Sequence, residues 1–220
     1  MRAVTNLTVH GIGRTTRELD PGEGDTWVSV AQFEQVVDAV AGSTRRAAHV
    51  RRREPVRRGD RVTQAGRAGG LKAEFFVLAG LLGEPGRLDS DGVRELLGAG
   101  MRIGSHGWAH RDWRTLGTRE AAEELSAAHH LLGQLVGEPV SRVAIPFGSY
   151  DRLVLNRLRR MGVTRAYTSD GGRARPGSWL QPRTSLRHDL DRGWIARVLG
   201  GPSLPRRAAK LATRLYKRMR

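Results

Sequence analysis

Ten residues, Met101-Arg102-Ile103-Gly104-Ser105-His106-Gly107-Trp108-Ala109-His110, carry most of the chemistry legible in this 220-residue chain. His106 and His110 are four positions apart, so on one helical turn they share a face and can offer two neutral ring nitrogens to a single divalent metal. A metal held in this way still lacks a third ligand. Taken alone, an H-x-x-x-H pair is more often a satisfied surface pair than a metal site, and its surroundings must decide.

Those surroundings alternate between strand-like and helix-like runs. Ala73 to Leu78 is a short apolar run, closing at Gly80. Leu88 to Gly100 has helix periodicity with an Asp-rich start and a Gly stop, and Met101 to Gly104 reads as the next strand. The histidines therefore fall just past the C-terminal end of a strand, the rim on which parallel α/β folds place their chemistry.

Four segments, AEFFVLAG at 73–80, GMRIGSHGWAH at 100–110, AIPFGSYD at 144–151 and GVTRAYTSD at 162–170, together resemble the polysaccharide deacetylase, or NodB-homology, family of metal-dependent carbohydrate esterases. The likeness extends over most of residues 71–190. It implies an α/β fold, a distorted (β/α) barrel of the polysaccharide deacetylase type, with residues 1–200 as its single domain. It also implies a hydrolase that removes acetyl groups from N-acetylated sugars or polysaccharide.

The resemblance further implies a divalent metal held by His106, His110 and an aspartate, while a second aspartate takes a proton from the metal-bound water. Two imidazoles and a carboxylate favour zinc, although such an open N/O set also accepts other first-row ions. The backbone N–H of Phe147 is implied as an oxyanion donor. The family's turn is R-x-P-x-G, and here Ala144 replaces its arginine, so the contact that orients the base is lost or supplied differently. Tyr150 and Asp170 are expected on the substrate rim, and Trp179 either stacks on a sugar face or covers the core. His188, in Leu186-Arg187-His188-Asp189, is a candidate general acid or a surface histidine.

Both aspartates belong to a T-F-D-D-G motif that should precede the AEFF strand, and the chain lacks it. Residues 43–70 read STRRAAHVRRREPVRRGDRVTQAGRAGG, with nine Arg and no Leu, Ile, Met or aromatic residue. Such a stretch cannot bury enough apolar surface to order itself. A shift of reading frame would account for it. If Ala48 to Glu54 are encoded GCT CAC GTT CGA CGA CGG GAA, that string, with the C that opens any Pro55 codon, reads one base later as L-T-F-D-D-G-N. Two compensating frameshifts near residues 43 and 70 would place Arg51 where the base aspartate belongs and Arg52 where the metal-ligand aspartate belongs. A natural Arg-rich insertion is the alternative.

Charge must be read with that segment in mind. Nine Arg less Glu54 and Asp60 give +7 of the formal +16, leaving +9 for the rest of the chain. Net charge is then a weak pointer to nucleic acid, and none is expected as a partner. The chain has no Cys, which excludes disulfide and thiolate chemistry. It shows no signal peptide and no run of eighteen apolar residues, so a cytoplasmic location is expected.

Val4 to His10 should be the first strand, Gly11 to Gly13 a turn, and Val28 to Val40 a helix with Ser29 as N-cap. Thr118 to Val136 should be a long amphipathic helix whose solvated face takes His129 and His130. Pro139 to Ile145 and Thr164 to Thr168 read as strands around a helix at Arg152 to Met161, and GGRARPGSW as a loop. From Pro205 onward, within a tail spanning 201–220, Ala208, Leu211, Ala212, Leu215 and Met219 line one helical face among seven Lys and Arg. Such a basic amphipathic tail can touch an anionic membrane surface, at the inner face of the membrane, or pack on the barrel. Besides an active deacetylase, the sequence admits a catalytically inactive carbohydrate-binding relative and, on charge alone, a basic nucleic-acid-binding protein.

Overall fold

The computed structural model describes residues 3–14, 18–19, 22–42, 73–200, 212–213 and 215–219. The Arg-rich segment 43–70, with Arg51 and Arg52, lies outside the described residues, as does 201–211 of the tail.

Seven strands form one sheet. In chain order they are β1 (Val4–Thr8), β4 (Glu74–Val77), β5 (Arg102–Ser105), β6 (Arg142–Ala144), β7 (Arg165–Thr168), β8 (Arg173–Ala174) and β9 (Leu180–Ser185). Their order across the sheet is β4-β5-β6-β7-β9-β1-β8. Every pairing is parallel except that of β1 with β8. Two short strands, β2 (Gly11–Ile12) and β3 (Trp27–Val28), pair with each other where a turn and a helix start were expected.

Parallel strands need covered faces. The helices supply the cover: α1 (Val30–Ala41), α2 (Ser90–Gly98), α3 (Thr118–Ala121), α4 (Ala128–Val136), α5 (Arg152–Arg160) and α6 (Arg192–Gly200). Ser29 caps α1 through a capping box with Gln32, and Val28, taken from the sequence as helical, is instead drawn into β3. Asp89 and Asp151 cap α2 and α5 by accepting from Gly92 N and Val154 N. Between α3 and α4 the backbone widens into a π-turn at Ala122–Ala127, so 118–136 is a helix with one wide turn.

The core divides accordingly. One cluster packs Leu7 of β1 and Phe75 of β4 with Phe33, Leu96, Leu132 and Ile195 of α1, α2, α4 and α6. A second gathers Trp113, Leu125, Ile145, Val154, Leu158 and Ala166 around α5. Phe76 and Tyr167 meet inside the sheet edge to face, with ring centroids 5.1 Å apart. Strand β9 and helix α6 were not anticipated from the sequence. Gln181 and Arg183 interrupt β9 with buried polar side chains, which removes the apolar signature of a parallel strand.

Candidate metal and rim site

Strand β5 ends at Ser105, and the chain stays bonded to its neighbour for three more residues. His106 N donates to Val77 O, Ala79 N to Gly107 O, and Gly80 N to Trp108 O. This extension carries His106 inward until it is fully buried. Its Nδ1 hydrogen-bonds the carbonyl of Ala144 at the end of β6. Since a carbonyl only accepts, Nδ1 carries the proton and Nε2 is the lone-pair nitrogen of the ring.

His110 reaches the same place by a different route. Its φ of 63° is left-handed, uncommon for a residue with a side chain, and it turns the ring back toward His106. The two ring centroids lie 4.6 Å apart at 63°. The pair thus converges on a loop rather than on the helical turn that its spacing suggested.

Glu124 holds that loop together. Its buried carboxylate, carried on the π-turn, accepts from Ala109 N at 3.0 Å, Arg111 N at 3.2 Å and the Trp113 indole at 3.4 Å. Gly107, at φ 87°, passes so close that a β-carbon there would sit 2.4 Å from Glu124 Oε1. Sequence reasoning missed Glu124. The signal was available, since an acid three residues after Ala121 and four before Ala128 interrupts the apolar stripe of the helix.

Beside His110 lies the turn after β6. Phe147 packs its ring 4.4 Å from that of His110, yet remains largely exposed. Phe147 and Gly148 both have positive φ, 55° and 63°. The turn closes through Gly148 N to Ile145 O and Ser149 N to Pro146 O, neither of which uses the Phe147 N–H. A β-carbon on Gly148 would press within 2.6 Å of Ser169, so the rim loops after β6 and β7 are in direct contact.

The loop after β7 holds Asp170, which is bonded rather than open. Oδ2 accepts from Tyr150 and Thr168, each at 2.8 Å, and Oδ1 accepts from Lys217 at 2.8 Å. Burial pushes the Asp170 carboxyl up, but the hydrogen bonds from Lys217, Thr168 and Tyr150 outweigh it and hold the carboxyl below its ordinary range. Tyr150 is itself buried. The structure therefore joins Tyr150 and Asp170 to each other and turns them from expected rim contacts into a buried pair.

Under these loops lies Arg183, a basic residue the sequence did not single out. Its Nε donates to Thr168 O at 3.2 Å, and Nη2 lies 3.4 Å from both Ile145 O and Ser169 Oγ. Burial lowers its pKa to about 10, which leaves it charged at neutral pH.

His188 and Trp179 occupy opposite ends of strand β9. His188 follows β9 on an exposed stretch and faces Asp25, with its Nδ1 3.2 Å from the Asp25 carbonyl and 4.0 Å from its carboxylate. Trp179 precedes β9 and so stands at the opposite end of the strands. Its indole donates to Val163 O at 2.6 Å and Arg159 covers its ring at 4.6 Å, so the structure does not bring it to the rim. His129, assigned to a solvated face, is half-buried with Nδ1 2.7 Å from Leu125 O, and burial pulls its pKa down.

As a metal site the described residues are incomplete. His106 and His110 present two imidazoles, and no group of three or more His, Cys, Asp or Glu gathers among the described residues. The chemistry of the pair fits a divalent ion as two of three ligands.

A family model described as polysaccharide deacetylase matches residues 56–166, a span of 111 of the 220 residues. Solved structures agree in fold. A Streptococcus pyogenes deacetylase, PplD, in complex with acetate, is 15% identical with a TM-score of 0.75, covering 90% of this chain and 98% of its own. A polysaccharide deacetylase from Bacillus cereus is 19% identical with a TM-score of 0.74, covering 89% and 68%. A de-N-acetylase from Aggregatibacter actinomycetemcomitans is 13% identical with a TM-score of 0.68, covering 88% and 98%. A search of curated proteins finds no match. The parallel sheet with its covering helices is the distorted (β/α) barrel that the sequence led us to expect.

Proposed function

The chain belongs to the polysaccharide deacetylase family, and on that premise we propose that its reaction is the metal-dependent hydrolysis of acetyl groups from N-acetylated sugars or polysaccharide. The observation that carries the proposal is the His106–His110 pair, two imidazoles 4.6 Å apart at the end of a parallel strand. Zinc is the ion the donor set favours.

His106 and His110 would hold the metal, with His106 steered by its Nδ1 hydrogen bond to Ala144 O, the kind of outer contact that fixes a ligand's tautomer. When bound, the ion supplies a Lewis acid and a water that ionises near neutral pH. The Phe147 N–H, on a turn whose closing hydrogen bonds leave it out, would donate to the oxyanion that develops on the acetyl carbonyl. Phe147 itself, exposed beside His110, would lie against the substrate. His188 we retain as a proposed general acid, acting only if its loop carries it away from Asp25.

We propose further that the chain as it stands is impaired. Among the described residues the two imidazoles fall one ligand short, and the frameshift reading puts Arg51 and Arg52 where two aspartates belong. A carbohydrate-binding relative without catalysis is the reading that follows if that segment is natural. A cytoplasmic place is proposed from the sequence alone. The described tail leaves Leu215, Tyr216 and Met219 exposed, and these would be the residues to meet an anionic membrane surface.

The test is acetate release from N-acetylglucosamine oligomers with zinc present, after chelation, and after zinc is returned. The proposal expects release that stops on chelation and recovers with metal, with a larger rate once the L-T-F-D-D-G-N reading is restored. Release that chelation leaves untouched would refute it.

A further inference from the structure

Helix α5 carries Arg152 and Arg159 two turns apart on one flank, and the C-terminal tail brings Arg218 against the same flank. Between them is a cavity of about 520 Å³, within the size range of small-ligand sites. Leu155 and Leu180 give it an apolar floor, Trp179 forms its far wall, and Asn156 and Ser178 add neutral polar groups. Among the described residues no carboxylate lines it.

Three guanidiniums around one cavity repel one another. A folded protein ordinarily answers such a cluster with acids, yet among the described residues none of the three takes part in an ion pair. Trp179 is locked in place by its bond to Val163 O, and Arg159 lies 4.6 Å over its ring, so that guanidinium is held rather than free to swing. Fixed, planar forks of this kind match carboxylate, sulfate and phosphate oxygens two at a time. The apolar floor and the indole edge suit the C–H face of a pyranose, whose hydroxyls Asn156 and Ser178 can bond.

We propose that this cavity binds an acidic sugar, a saccharide ring bearing a carboxylate, sulfate or phosphate, as an accessory site separate from the rim. Its wall, Trp179, stands at the end of the strands opposite His106 and His110. The inference does not depend on the metal or on acetyl chemistry. It would give the protein a grip on an anionic glycan even where catalysis is impaired.

The experiment is calorimetric titration of the full chain with a galacturonate trimer, with a neutral N-acetylglucosamine trimer, and with inorganic phosphate at equal ionic strength. The same titrations are run on Arg159→Gln, Arg152→Gln and Trp179→Phe, and on Arg94→Gln, which removes one exposed charge from α2 instead. The proposal expects saturable binding of the acidic trimer, at least about tenfold tighter than the neutral one. It expects a loss of about tenfold in Arg159→Gln and Arg152→Gln, a smaller loss in Trp179→Phe, and none in Arg94→Gln. Equal weakening by Arg94→Gln would show diffuse charge attraction and overturn the proposal. So would equal affinity for the neutral trimer, binding of phosphate as tight as that of the acidic trimer, or no saturable binding by the unaltered chain.

Discussion

Lys217 sets its ammonium 2.8 Å from Oδ1 of Asp170, a residue 47 positions earlier in the chain. The same nitrogen lies 3.2 Å from Gly148 O and 5.1 Å from the centre of the Tyr150 ring. One tail residue thus ties together the rim loops after β6 and β7. The contact has consequences for both stability and acid tolerance.

Because the folded Asp170 carboxyl is held below its ordinary value, it adds stability that is complete above the unfolded pKa near 3.8 and is lost as pH falls through the lower folded value. Asp170→Asn should flatten the acid limb of the stability curve below about pH 4. Lys217→Met should shift that limb upward, since Asp170 then keeps its burial without its cation. Urea midpoints measured from pH 2 to 6 check both, and an unchanged acid limb in Asp170→Asn would count against the arrangement.

Glu124 bridges three donors of the loop that delivers His110, one of them the indole of Trp113. Truncation to Ala strands the buried Trp113 indole N–H and frees two half-buried backbone N–H groups, a loss of about 3 kcal/mol. Glu124→Ala should therefore lower the urea midpoint and also weaken zinc binding, although Glu124 is no proposed ligand. Zinc affinity unchanged in a folded Glu124→Ala protein would separate the loop from the site.

His129 titrates in the opposite sense from a paired histidine. Burial lowers its pKa from 6.5, and the hydrogen bond to the Leu125 carbonyl offsets this only in part. The unfolded chain then binds the proton more readily, so stability rises with pH up to about 6.5 and falls below it. His129→Gln, which retains a donor for Leu125 O, should remove part of the decline between neutral pH and the folded pKa. Thermal melts at pH 5 and pH 7.5 measure it, and an identical difference in both proteins would refute the assignment.

The strands flanking the histidines were legible because β4 and β5 are short apolar runs bounded by glycine, and α1 and α2 because Ser29 and Asp89 cap them. Helix α6 and strand β9 were not. Arg183 and Gln181 are buried through hydrogen bonds that no local pattern announces, and Trp194 and Ile195 sit among arginines. The site followed the same division. His106 and His110 declared themselves by spacing, whereas Tyr150 and Asp170 were read as facing substrate because a sequence cannot show that they bond each other, or that Lys217 returns to join them.

The central claim, a metal-dependent deacetylase centred on His106 and His110, is tested most directly by zinc-dependent acetate release from three proteins. These are the chain as it stands, the chain with L-T-F-D-D-G-N restored over residues 43–70, and the restored chain with His106→Ala. We predict release by the restored chain, at least about a hundredfold less from the chain as it stands, and none above background with His106→Ala. Equal release by the restored chain with and without His106 would contradict the account.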